Sequence, residues 1–164
     1  MDRLSPSAKV KSELLNLREF EIQLATQNPY DNRNSKKFLV RVYETQEEII
    51  RLCRGSRPRA KRMVDSWFKE EPFKNKEGRG PRSPTGRSKT LFAAILAATS
   101  RAPSRLQSRW CRALMFIDWQ HANDLNGPKL EWVLEDHGGI RKLASRAACA
   151  MPIRRRRKYG AGRF

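Results

Sequence analysis

The chain of 164 residues carries 35 Lys and Arg against 17 Asp and Glu, a formal charge of +18 with both histidines neutral. A length of this order fits one domain with basic extensions, able to bury roughly two thirds of its unfolded surface. Apolar residues make up 38% and charged residues 32%, values below and above the globular norm, so a portion of the chain is expected to lie outside a packed core. The longest unbroken apolar stretch, Leu91 to Ala98, has eight residues, far short of the roughly 20 that cross a bilayer.

The first twenty residues hold Asp2, Arg3, Lys9, Lys11, Glu13, Arg18 and Glu19 without an apolar segment, so neither secretion nor a membrane partner is expected. The expected location is the cytoplasm or nucleoid, or the nucleus of a eukaryotic cell. Three cysteines, Cys53, Cys111 and Cys149, make no CxxC pair; they read as small buried thiols in a reducing compartment. No cofactor and no metal site is expected.

In chain order, Ser5 before Pro6 starts a helix, and Val10, Leu14, Leu17 and Leu24 give it an apolar face over about 6–26. Asn28, Pro29, Asp31, Asn32 and Asn34 read as a polar loop. From Phe38 to Tyr43 two periods compete. Leu39, Val42, Tyr43, Ile49, Ile50 and Cys53 share a helical face, which is preferred because no other segment offers a strand to pair with. A single short strand near 38–44 is the alternative, and Thr45 with Glu48 would form a capping box that starts a fresh helix at Gln46.

Gly55 ends that element and Ser56 caps the next, a short helix whose buried stripe is Met63, Val64, Trp67 and Phe68. Arg57, Arg59, Lys61 and Arg62 crowd its first turns against the helix dipole, an arrangement that asks for an anion nearby. Residues 72–89 hold three prolines, three glycines and six Lys or Arg, and read as a flexible basic linker. Leu91 to Ala98 is a helix apolar nearly all round, the expected centre of the fold. Pro103 separates it from a longer helix over about 103–123. Helices over about 128–137 and from Ile140 to Ala147 follow, divided by Gly138 and Gly139, and after Met151 the chain is a basic tail.

The expected fold is therefore mostly α: a compact domain of about six helices with a basic internal loop and a basic C-terminal tail. Along the chain it divides into an N-terminal helical segment (residues 1–71), the linker (72–89), a helical core with a helix-Gly-Gly-helix hairpin (90–150) and the tail (151–164).

Most of the charge excess is concentrated. Residues 51–90 hold 13 basic against 4 acidic side chains, and residues 151–164 hold 6 against none. Cations gathered into segments suit phosphate-tracking arms. In the 103–123 helix, Leu106, Trp110, Ala113, Leu114 and Ile117 fall on one arc of about 100°. Arg105, Arg109 and Arg112 fall on another, which Phe116 and Trp119 continue. Guanidinium groups grip phosphate in a two-pronged fashion and aromatic faces stack on unpaired bases, so this ridge suits nucleic acid; for the two aromatics taken alone, packing against a neighbouring helix is the preferred reading.

The candidate binding residues are Arg57, Arg59, Lys61, Arg62, Arg79, Arg82, Arg87, Lys89, Arg101, Arg105, Arg109, Arg112, Phe116, Trp119, Arg154, Arg155, Arg156, Arg157 and Lys158. The segment from His137 to Ala144 resembles the opening helix of small helix-turn-helix regulators over fewer than ten residues. The sequence then departs from that pattern, because Ile153 leads directly into the arginine run where a recognition helix would stand. Gly78-Arg79-Gly80-Pro81-Arg82 resembles the AT-hook, a minor-groove motif, with its residues in a different order.

Catalysis has less support. Asp118 and His121 stand three apart on one helix, a pair that a small metal-dependent nuclease would use, but a structural or surface role is the preferred reading. The expectation is thus a non-enzymatic nucleic-acid-binding protein, with DNA favoured over RNA. An RNA-binding or ribosome-associated protein and an interaction protein docking an acidic partner are the alternatives.

Overall fold

The computed structural model describes residues 5–27, 32–70 and 90–123, together with Ile140, Lys142, Ala144 and Ser145. Five helices occupy the continuous stretches: α1 (Pro6–Gln27), α2 (Asn32–Leu52), α3 (Arg57–Trp67), α4 (Leu91–Thr99) and α5 (Ser104–Asn123). No strand occurs among the described residues. The linker 72–89, the helix expected over 128–137 and the tail 151–164 lie outside them.

Ser5 caps α1 as its position before Pro6 implies, its hydroxyl accepting from the Ala8 N–H at 3.2 Å. Helix α2 decides the contest of periods. Phe38, Leu39, Val42, Ile49 and Cys53 are buried along one helical face while Arg41, Glu44 and Glu47 stand exposed. The β-branched and aromatic content of residues 38–43 is overridden because the helical face has a core to enter and a lone strand has no partner.

Two local expectations are corrected in α2. Asn32 and Asn34 belong to the helix and not to the preceding loop, and no new helix starts at Gln46. Thr45 is buried within the continuous helix, and Glu48 turns to Arg51, whose Nε and Nη2 donate to its two carboxylate oxygens at 2.7 and 2.5 Å. The residue spacing of a capping box is present, but its acid is committed to an ion pair on the next turn.

The chain reverses after α2 through two successive left-handed residues, Arg54 at φ 57° and Gly55 at φ 75°. Glycine adopts this conformation without a Cβ clash, and the Gly55 N–H closes the helix end on the Ile50 carbonyl at 2.9 Å. Ser56 then caps α3, accepting from the Arg59 N–H at 3.3 Å. Thr90 caps α4 in the same way, accepting from the Ala93 N–H at 3.1 Å.

Helix α4 is the hub: it packs against each of the other four helices, and seven of its nine residues are buried. That is what a helix without a polar face must do. The buried apolar residues, from Val10 to Ala144, form one cluster, with Phe38 and Trp110 in tilted ring contact at 5.5 Å. Ile140 and Ala144, four residues apart and both helical, join it from the C-terminal side.

The α4 to α5 junction is fastened from two sides. The buried Glu21 of α1 accepts from the Arg101 N–H at 3.2 Å and from the Ser100 hydroxyl at 3.4 Å. The Gln107 side-chain amide donates to the carbonyls of Ser100 and Ala102 at 3.2 and 2.8 Å.

Cys53 and Cys111 are free thiols. Each approaches a methionine sulfur, Met63 at 3.9 Å and Met115 at 3.7 Å. Burial raises both thiols above the ordinary cysteine range, so both are held in the unreactive protonated form.

Candidate nucleic-acid interface

Helix α5 changes character along its length. In its first half Leu106 and Trp110 turn to the core, while Ser104, Arg105, Ser108 and Arg112 are exposed and Arg109 is half-buried. From Ala113 to Asp118 six consecutive residues are buried. The five steps of about 100° between them make more than a full turn around the axis, so the helix is enclosed on all sides there.

The arginine ridge therefore occupies the first half of α5 only. Arg105 and Arg112 are separated by about 10.5 Å along the axis, with Arg109 between them. Like charges at these three- and four-residue spacings repel by about 0.2–0.5 kcal/mol per pair. No carboxylate relieves them locally: from Gly78 to Ile117 the sequence has no Asp or Glu, while Arg79, Arg82, Arg87, Lys89, Arg101, Arg105, Arg109 and Arg112 all fall in that span. Among the described residues, none of the last four forms a salt bridge with a carboxylate.

The aromatics expected to continue the ridge are placed differently. Phe116 is buried at 4% exposure and meets the partly buried Trp119 at 5.7 Å between ring centroids. The enclosing of α5 beyond Arg112 takes the Phe116 ring into the core, away from any base.

Asp118 is the first acid after the carboxylate-free span, and it is buried at 5% exposure. A carboxylate so placed needs charged or hydrogen-bonding partners. Arg57, in the first turn of α3, supplies a two-pronged pair, with Nη1 at 2.6 Å and Nη2 at 2.9 Å from the two oxygens. Tyr43 of α2 donates its hydroxyl at 3.5 Å. Three helices are thus pinned at one carboxylate. The anion that the α3 dipole asks for is, at Arg57, the chain's own Asp118.

Burial, with the Asp118 charge second, raises the Tyr43 phenol well above its ordinary value. A phenol whose folded-state pKa is raised contributes stability that is complete below its unfolded value, about 10, and is lost as pH rises beyond it. Unfolding stability is expected to fall on raising pH through this range, more steeply than in Tyr43→Phe. Equal slopes for the two proteins in urea titrations from about pH 8 to about pH 11 would contradict this assignment.

The other α3 cations divide. Lys61 pairs with Asp65 at 2.5 Å, whereas Arg59 and Arg62 are exposed and form no salt bridge among the described residues. The Arg57 to Asp118 pair joins the start of α3 to the enclosed end of α5, about 9 Å along the axis from Arg112. Arg79, Arg82, Arg87, Lys89, Arg154, Arg155, Arg156, Arg157 and Lys158 lie outside the described residues, as does the His121 side chain.

Among the described residues no three His, Cys, Asp or Glu side chains cluster in a way that would hold a metal, and no helix is long and apolar enough to cross a membrane. Sequence reasoning missed Tyr43, Glu21 and Gln107 as positioning groups. Only the isolation of Asp118 at the end of a carboxylate-free span signalled that a cation must come to it. Comparisons of the chain with protein-family models, with curated proteins and with solved structures find no match.

Proposed function

We propose that the protein binds nucleic acid, DNA in the first place, through arginine contacts to phosphates. The observation that carries this reading is the solvent-facing half of α5. There Arg105, Arg109 and Arg112, with Arg101 before them, stand within a span devoid of carboxylates and repel one another, with no carboxylate paired to them among the described residues. Guanidinium groups so arranged are stabilised by a row of anions, which a phosphate backbone provides. Arg59 and Arg62 at the start of α3 are further exposed cations, and the basic segments 72–89 and 151–164 add arms in sequence. Arg57 and Lys61 have carboxylate partners already and contribute less.

Affinity then comes mainly from counterion release. With about 6–10 phosphates neutralised, raising salt from about 50 to 200 mM weakens binding by about 10³–10⁵. Fluorescence anisotropy of the full chain on duplex DNA, single-stranded DNA and folded RNA at matched salt measures this directly. Preferential binding of folded RNA would move the partner from DNA to RNA. Absence of salt-dependent binding to all three would reject the proposal and favour an acidic protein partner.

A further inference from the structure

We infer that α5 engages a phosphate backbone along a narrow strip and reads no bases. This rests on the nucleic-acid reading above and specifies its mode. A helix that reads sequence lies in the major groove, about 12 Å wide and about 8.5 Å deep, and brings a cylinder of about 10–12 Å diameter into it. Such a helix needs both flanks uncovered. In α5 the strip that is open to solvent consists of Ser104, Arg105, Ser108 and Arg112 with the half-buried Arg109, and it stops where residues 113–118 are enclosed all round. The rest of the protein therefore holds this helix at the groove rim, with its guanidinium groups level with the phosphates.

The chemistry of the strip agrees. Asn and Gln amides read adenine and arginine forks read guanine when a helix lies deep in the major groove, and stacking uses aromatic rings. The one amide in the open half, Gln107, is committed to the Ser100 and Ala102 carbonyls, and the Phe116 ring is buried. What faces outward is arginine and serine, which donate to phosphates at the groove rim and would meet base edges only from a helix seated inside the groove. Three guanidinium groups spread over about 10.5 Å from Arg105 to Arg112 offer about one donor fork to each of about three phosphates.

The test compares the full chain with Arg105→Ala/Arg109→Ala/Arg112→Ala on several duplexes of equal length and different sequence. Because Arg105 and Arg112 are exposed and Arg109 is only half-buried, circular dichroism of the variant is expected to match the parent. The salt slope is expected to fall by about 2.7, at about 0.9 per phosphate, for every duplex alike. The ratio of affinities between any two sequences stays unchanged, whatever preference the chain as a whole displays, and so does the effect of replacing guanine by 7-deazaguanine.

A ratio that shifts by about fivefold or more on removing the three arginines, the discrimination of one good base contact, would overturn the inference while leaving nucleic-acid binding intact. So would an unchanged salt slope, which would mean that α5 touches no phosphates. A parent chain that binds no duplex at about 50 mM salt would overturn both this inference and the function on which it rests.

Discussion

Arg57→Ala is expected to lower folding stability by about 3 kcal/mol, and Asp118→Ala by clearly less. The asymmetry follows from where the two charges sit. The Asp118 side chain is 6% exposed and that of Arg57 is 45% exposed. Removing the arginine strands a carboxylate inside the protein with, among the described residues, the Tyr43 hydroxyl at 3.5 Å, and breaking a buried pair in this way costs about 3–5 kcal/mol. The half-exposed partner places the value at the low end. Removing the carboxylate instead leaves a guanidinium that can turn to water. Urea unfolding of both variants measures the order. Equal costs, or a larger cost for Asp118→Ala, would mean that the pair is solvated and does not pin α3 to α5. Replacing both residues by apolar side chains of similar volume is expected to recover most of the loss.

Phe116→Ala is expected to cost about 3–5 kcal/mol of stability, the usual range for truncating a buried aromatic, while nucleic-acid affinity of the folded fraction is retained. The two roles that the residue type permits predict opposite results. A stacking residue would lose about 1–3 kcal/mol of binding with little change in unfolding midpoint. A core residue loses the midpoint and keeps the binding. Thermal unfolding and single-strand affinity below the transition separate them, and a weakened affinity at unchanged stability would put Phe116 back on the binding surface.

Much of the helical architecture was legible in the chain because it depends on local signals. Ser5 before Pro6, Gly55 before Ser56 and the all-apolar run at Leu91 mark their elements by capping, left-handed backbone and lack of a polar face. The start of α2 and its continuity through Thr45 were not legible. The same residues satisfy the pattern of a loop followed by a capping box, and the competing use of Glu48 by Arg51 is decided only once the helix exists.

At the candidate interface, the ridge of Arg105, Arg109 and Arg112 followed from the helical period, because surface position is what periodicity encodes. The fate of Phe116 did not, since a helical wheel assigns a direction but not the depth to which neighbours cover it. The partnership of Arg57 with Asp118 joins residues 61 apart in sequence. No local pattern contains it, and a count of cations near a helix start cannot distinguish a phosphate-seeking arginine from one already matched.

The clasp of Glu21 and Gln107 on Ser100, Arg101 and Ala102 bears on how strongly a ligand can be held. Because hydrogen bonds from α1 and from α5 itself fix the direction in which α5 leaves α4, its outward row of cations is aimed before anything arrives. Association then has to quench the motion of a few long side chains, at about 0.5–1.5 kcal/mol each, without also ordering the backbone that carries them.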